Sequence, residues 1–213
     1  MFIGFFLVER DYVIFKELDR WRFCLGRHLK VLAGFSGERA CNRRLKVLLE
    51  AGYISRKKML YGVPYLYSLT HRGKMLIGAN KRKDKLRIAQ IPHDITALDT
   101  AIFCISKYKL ALSDIQTEKQ LHSRDGFSTR KHYPDFVFES NGKKYCVEVE
   151  LSLKPADRLN DIIKHNYEAY DFQLFFVEKC HTKLIAILKK HMLKFSNIKI
   201  HYLHDDSKFD LNY

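Results

Sequence analysis

The sequence has little of what interrupts regular structure: 4 Pro and 10 Gly among 213 residues. That scarcity excludes a collagen-like or low-complexity chain. Cysteine is thin as well. The five thiols, at Cys24, Cys41, Cys104, Cys146 and Cys180, are odd in number and lie far apart, with no Cys-x-x-Cys pair. Neither a disulfide framework nor a zinc ribbon can be read from that spacing, and small buried thiols in a reducing cytosol are the expectation. There is no Gly-rich phosphate loop, no Gly-x-Ser-x-Gly elbow and no Cys–His pairing that spacing supports. Long apolar runs are missing too. The stretch Met1–Val8 is apolar but short, carries no basic flank and stops at Glu9-Arg10-Asp11. It reads as a buried strand or a dimer contact, not as a signal peptide or a membrane span. A cytoplasmic protein with no membrane partner, and with a homodimer open to it, is the expectation.

Acids are short, and unevenly so. Lys and Arg number 38 against 24 Asp and Glu, a formal net charge of +14. Residues 1–92 hold 20 basic and 7 acidic side chains, whereas residues 93–213 hold 18 and 17. The first part is therefore +13 and the second +1. An excess confined to one segment points to a polyanion partner and to two domains with two jobs, 1–90 and 91–213. The polar run Lys81–Arg87 marks their junction. Apolar residues at 46%, with 15 Phe and 12 Tyr, suffice for a core in each.

In the basic part, apolar spacing predicts a helix over 11–23 on Ile14, Phe15, Leu18 and Trp21, and a second over 26–35 on Leu29 and Leu32. A third is expected over 37–51, with Ser36 as N-cap and Gly52 as stop. Its apolar stripe is Cys41, Leu45, Leu48 and Leu49, and another face carries Arg39, Asn42, Arg43 and Lys46. Two strands, 53–58 and 65–69, follow around a turn near Gly62, and Thr70 caps a last helix over 71–77. Arg56, Lys57 and Lys58 lie on the first of these strands; Tyr61, Tyr65 and Tyr67 are placed either to stack on nucleotides or to pack within the hairpin.

Three helices and a hairpin, with the runs "RRLKVLLEAGYISRKK" and "YLYSLTHRGKMLI", resemble the winged-helix family. The resemblance implies double-stranded DNA as partner. Arg39, Asn42, Arg43 and Lys46 would face base edges in the major groove, and Arg56, Lys57 and Lys58 would hold phosphates. A merely solvated helix face, or a winged helix that binds protein alone, is the competing reading.

The neutral part alternates helices and strands. Helices are predicted over 95–106, 155–170 and 182–195; residues 112–121 are expected to be extended. Strands are expected over 134–138, 144–151, 172–177 and 198–203, the first two joined at Asn141-Gly142. This order argues for a sheet with crossover helices, so the fold class is α/β, α+β over the whole chain.

Asp135 begins one strand of that hairpin, while Glu148 and Glu150 lie on one face of the next. Like charges so placed repel, and a divalent cation with oxygen ligands would relieve them. The alternative is an edge strand whose exposed acids pair with Lys143, Lys144 or Lys154. Pro134-Asp135, twelve residues, then Glu148-Val149-Glu150 resembles the PD-(D/E)xK nuclease superfamily, with Glu150 where that pattern usually has Lys. The resemblance implies Mg²⁺ or Mn²⁺ held by Asp135 and Glu148 with the Val149 carbonyl. Glu150 would position or deprotonate water, Lys154 would be a migrated lysine, and Glu118 the upstream acid.

Taken together with "IPHDITALD", "TEKQL", "YPDFVF" and "CVEVELSLKPADRL", the chain from about Glu9 to Tyr170 resembles the replication-relaxation family of plasmid and mobile-element proteins. That implies an accessory role in plasmid replication, DNA relaxation or mobilisation, beside a relaxase or another DNA-processing protein. His93 falls at that family's recurrent His, or is a polar residue at a helix entry. A non-catalytic regulator or nucleoprotein scaffold, whose second domain dimerises or docks a partner, is the alternative function. His201 and His204, with Asp205 and Asp206, have metal-ligand spacing but also suit a solvated tail.

Overall fold

The computed structural model describes residues 6–59, 61–80, 84, 86–125 and 132–203. The chain divides into two compact units between Leu98 and Asp99. Its class is mixed α/β, with helices and two separate sheets.

The first unit opens with α1 (Glu9–Arg20), in which Ile14, Phe15 and Leu18 are buried on one side. The helix starts where Asp11 Oδ2 accepts the Val8 N–H at 2.8 Å. It ends earlier than predicted: Trp21 is its C-cap, and Arg22 turns into the left-handed region at φ +67°. Then come β1 (Cys24–Leu25), α2 (Gly26–Leu32) and α3 (Glu38–Glu50). The N-cap of α3 is Gly37 with extended backbone and no side-chain cap bond, so Ser36 does not take the role expected of it. Gly52 stops the helix as predicted, at φ +74°. Its N–H donates to Leu49 O at 3.0 Å and that of Tyr53 to Leu48 O at 3.1 Å, which answers the last carbonyls of α3.

β2 (Ile54–Lys57) and β3 (Leu66–Leu69) form the hairpin, and β1 adds to β3 a third strand that the sequence pattern did not reveal, in the order β1-β3-β2. Thr70 Oγ1 accepts the Gly73 N–H at 3.2 Å, capping α4 (His71–Leu76) as expected. Gly73 sits so close to the preceding turn that a Cβ there would lie 2.3 Å from Tyr53 O. Phe23, Leu25, Leu66 and Ile91 form one buried cluster of this unit, with Met59, Val63, Leu86 and Ile95 packed against it. Ile91 is the first residue of α5 (Ile91–Tyr108).

In the second unit, the segment expected to be extended over 112–121 is mostly helical. A 3₁₀ turn at Leu112–Asp114 leads to the two-residue β4 (Gln116–Thr117), and α6 (Glu118–Asp125) follows at once. Gln120 Oε1 accepts the Thr117 N–H at 3.0 Å and Leu121 is buried, so the local capping and one apolar anchor decide for helix. The remaining elements are β5 (Phe136–Ser140), β6 (Lys143–Glu150), α7 (Ala156–Ala169), β7 (Phe172–Glu178), α8 (Thr182–Met192) and β8 (Ile198–Leu203).

The sheet order is β4-β5-β6-β7-β8, antiparallel from β4 to β6 and parallel from β6 to β8. Asn141 and Gly142 both adopt positive φ, +52° and +69°, as a tight right-twisted hairpin turn requires. On one face α7 and α8 pack Leu159, Ile163, Leu184 and Leu188 with Phe175 and Val177. On the other, Phe103 of α5 meets Phe176 with ring centroids 6.0 Å apart, and Tyr108 meets Phe138 at 4.9 Å and Tyr145 at 5.3 Å.

Among the described residues no helix is long and apolar enough to cross a membrane. Of the apolar Met1–Val8 stretch, residues 1–5 lie outside the described residues, and Phe6 is exposed. His204, Asp205 and Asp206 also lie outside them.

Candidate functional site

Alternation along β6 sends Cys146, Glu148 and Glu150 to one face and Tyr145, Val147 and Val149 to the other. The parallel register sets Glu148 beside Phe175 and Glu150 beside Val177, residues that pack under α7 and α8. The glutamates therefore point into a covered face of a central strand, and each is 2% exposed. The edge-strand alternative fails here: these are not surface acids.

A buried carboxylate is costly unless its oxygens are met by donors or cations. Glu148 Oε1 accepts from Asn166 Nδ2 of α7 at 2.9 Å and stands 2.7 Å from His132 Nε2. Glu150 Oε1 pairs with Lys154 Nζ at 2.5 Å. Asp135 precedes β5, and its carboxylate continues the ladder where main-chain pairing stops: Oδ2 accepts the Val149 N–H at 2.7 Å. Because Phe136 pairs with Val147, the register carried one step back sets Asp135 opposite Glu148.

Electrostatics ties the group together. Burial pushes the Lys154 ammonium toward neutrality, but the charges of Glu150, Glu148 and Asp135 outweigh it and raise its pKa. For His132 burial again opposes charge, and the hydrogen bond and charge of Glu148, helped by Asp135, prevail and raise its pKa. So Asp135, Glu148, Glu150 and Lys154, singled out by spacing, do act on one another. Glu118 is adjacent through the main chain, its N–H donating to Asp135 O at 2.9 Å. Its carboxylate stands on α6, 3.7 Å from His122 Nε2.

Two members escaped the sequence reading. Asn166 had a visible signal, being a polar residue in step with the buried Leu159, Ile162 and Ile163 of α7. His132, three residues before Asp135, had none beyond proximity.

The donors around Asp135 and Glu148 are oxygens, the kind a hard cation takes, and the described contacts of Glu148 use Oε1 alone. Asp135, Glu148 and Glu150 are not drawn into a set of three with all ligand atoms within 4.8 Å. Among the described residues such a set occurs at Glu178, Cys180 and His181.

The first unit presents a different surface. Cys41, Leu45 and Leu48 turn α3 inward, and Arg44 is also spent inside, paired with the fully buried Asp11. Arg39, Asn42, Arg43 and Lys46 are exposed, as are Arg56, Lys57 and Lys58 at the end of β2 and beyond. Lys46 lies 3.8 Å from Glu50. A groove of about 640 Å³ runs between α3 and the hairpin, bringing Asn42 and Lys46 into line with Arg56 and Tyr65. The Arg56 guanidinium lies over the Tyr65 ring, 4.7 Å from its centroid. Tyr61 is fully exposed and Tyr67 buried, so the hairpin tyrosines divide between surface and packing. His93, in the first turn of α5, stands 3.5 Å from Asp94.

No protein-family model matches this chain, and no curated protein or solved structure matches it either.

Proposed function

We propose that this protein binds double-stranded DNA through the outward face of α3 and its neighbouring hairpin, as an accessory in the processing of plasmid or mobile-element DNA. Its buried acids form a metal-dependent strand-cleavage centre. The observation that carries the DNA reading is the sorting of charge on α3: Arg44 is turned in to Asp11, while Arg39, Asn42, Arg43 and Lys46 face out beside Arg56. A helix N-terminal to a basic hairpin can lay such side chains on base edges while the hairpin grips phosphates. In this reading the first unit is a winged helix and the second a PD-(D/E)xK-type nuclease domain. Kinship with the replication-relaxation family, and a relaxase as partner, rest on the sequence motifs alone.

Asp135 and Glu148, with the Val149 carbonyl, are the residues to hold Mg²⁺ or Mn²⁺. Such an ion neutralises charge on a scissile phosphate and lowers the pKa of an attacking water. Lys154, kept protonated by the three acids, holds positive charge beside the phosphate. Glu150, fixed by Lys154, orients the water.

A second reading has an observation of its own. Each buried glutamate is already met by protein groups, Glu148 by His132 and Asn166 and Glu150 by Lys154. That suits a non-catalytic regulator or scaffold whose second unit dimerises or docks a partner. Supercoiled plasmid incubated with protein and Mg²⁺ or Mn²⁺ separates the two. Nicking that EDTA stops, and that Asp135→Asn or Glu148→Gln abolishes without loss of DNA binding, supports cleavage. Binding without scission across several substrates supports the scaffold, and no DNA binding at low salt sinks both.

A further inference from the structure

We propose a metal site for a borderline-soft divalent cation of the zinc type at the carboxyl end of β7, built by Glu178, Cys180 and His181. It is independent of the DNA-processing reading. Glu178 ends β7 and His181 is the N-cap of α8, so the three ligands occupy the tight turn between a parallel strand and its following helix. That turn is fixed by its own main chain: His181 N–H donates to Glu178 O at 3.0 Å and Thr182 N–H to Cys180 O at 2.9 Å.

One atom of each side chain lies within 4.8 Å of the other two. Cys180 Sγ is 3.3 Å from Glu178 Oε2, and His181 Nε2 is 3.9 Å from the same oxygen. Zinc bonds of about 2.0–2.3 Å at tetrahedral angles set ligand atoms roughly 3.3–3.6 Å apart. The observed separations bracket that edge length, so small side-chain rotations close the triangle on a cation.

The donor types choose the ion. A thiolate and an imidazole with a single carboxylate suit zinc and its neighbours, whereas magnesium and calcium seek oxygen alone. Access agrees: Cys24, Cys41, Cys104 and Cys146 are buried, and Cys180 is the exposed cysteine. Exposure also leaves a fourth position to water, as in three-ligand zinc sites. Without a cation the thiol proton rests on the contact with Glu178; the entering ion displaces it to solvent and takes the sulfur as thiolate.

The test is a Co²⁺ titration of the untagged, reduced, full-length protein in excess Mg²⁺. The expected result is a thiolate-to-cobalt charge-transfer band with tetrahedral visible absorption, saturating at a single equivalent and bleached by Zn²⁺. Cys180→Ser should remove the band, and His181→Ala should weaken binding roughly ten-fold or more. Asp135→Asn should leave the titration unchanged, which keeps this site separable from the acid cluster. No band, or a band undiminished in Cys180→Ser, overturns the proposal.

Discussion

His132 is neutral or charged according to a contest between burial and Glu148, and Glu148 wins. Its folded-state pKa is raised, while the unfolded value is about 6.5. A group raised on folding stabilises the native state fully below its unfolded pKa, and that contribution fades as pH climbs through the folded pKa. In EDTA, the urea midpoint of the wild type should therefore fall as pH rises above about 6.5, and His132→Ala should flatten that fall. Superimposable pH profiles for the two proteins would mean that the 2.7 Å contact does not stabilise the fold. Asn166 works at the same carboxylate without titrating, so it sets an orientation that persists on both sides of the transition.

At the scale of elements, what the sequence revealed was local. Thr70, Gly52 and the Asn141-Gly142 turn each act within a few residues of themselves, and each behaves as its type dictates. What stayed hidden depended on partners far along the chain. Two residues, Cys24 and Leu25, are a strand only because Tyr67 and Leu66 pair with them. Nothing in β6 says whether it is an edge or a centre; β7 decides that from 27 residues away, as in Tyr145 beside Phe172. The carboxylates were legible as a pattern for this reason, while their burial and their answering groups were not.

Two predictions belong to α3 and α4. Gly73→Ala should cost on the order of 1–3 kcal/mol, read as a lowered Tm by circular dichroism. The atom its Cβ meets is a backbone carbonyl, which cannot step aside as a flexible side chain could. On α3, Arg43→Ala with Lys46→Ala should weaken duplex binding and flatten its salt dependence, by about 0.9 in slope for each phosphate no longer neutralised. An unchanged slope would move the DNA-binding surface elsewhere.

For the whole molecule, charge and cohesion divide the chain at nearby places. Nearly all the positive excess lies before residue 93, and the first compact unit runs on to Leu98. Ile91, 1% exposed, and Ile95 belong to the cluster around Phe23 and Leu66. A fragment ending at residue 98 should thus resist urea better than one ending at 90, by a margin near the roughly 1.5–3 kcal/mol of a buried Ile side chain. Equal stabilities would mean that those side chains add nothing to this unit. The longer fragment should also bind duplex DNA with a steep salt dependence, since it keeps the basic surface intact.

The turn at Asn141 and Gly142 has a consequence in time. A hairpin closes in about 1–10 μs, whereas a parallel pair must wait for the helix between its strands. Asp135 and Glu148 ride on the hairpin, but Asn166 arrives only when α7 docks. During that interval the two carboxylates face each other without the amide that later holds one of them. Their repulsion opposes the very nucleus that brings them together, so the native arrangement is reached against a charge barrier. Glu148→Gln, although less stable once folded, should refold faster in a stopped-flow experiment at neutral pH, and a slower trace would place the hairpin after the helix.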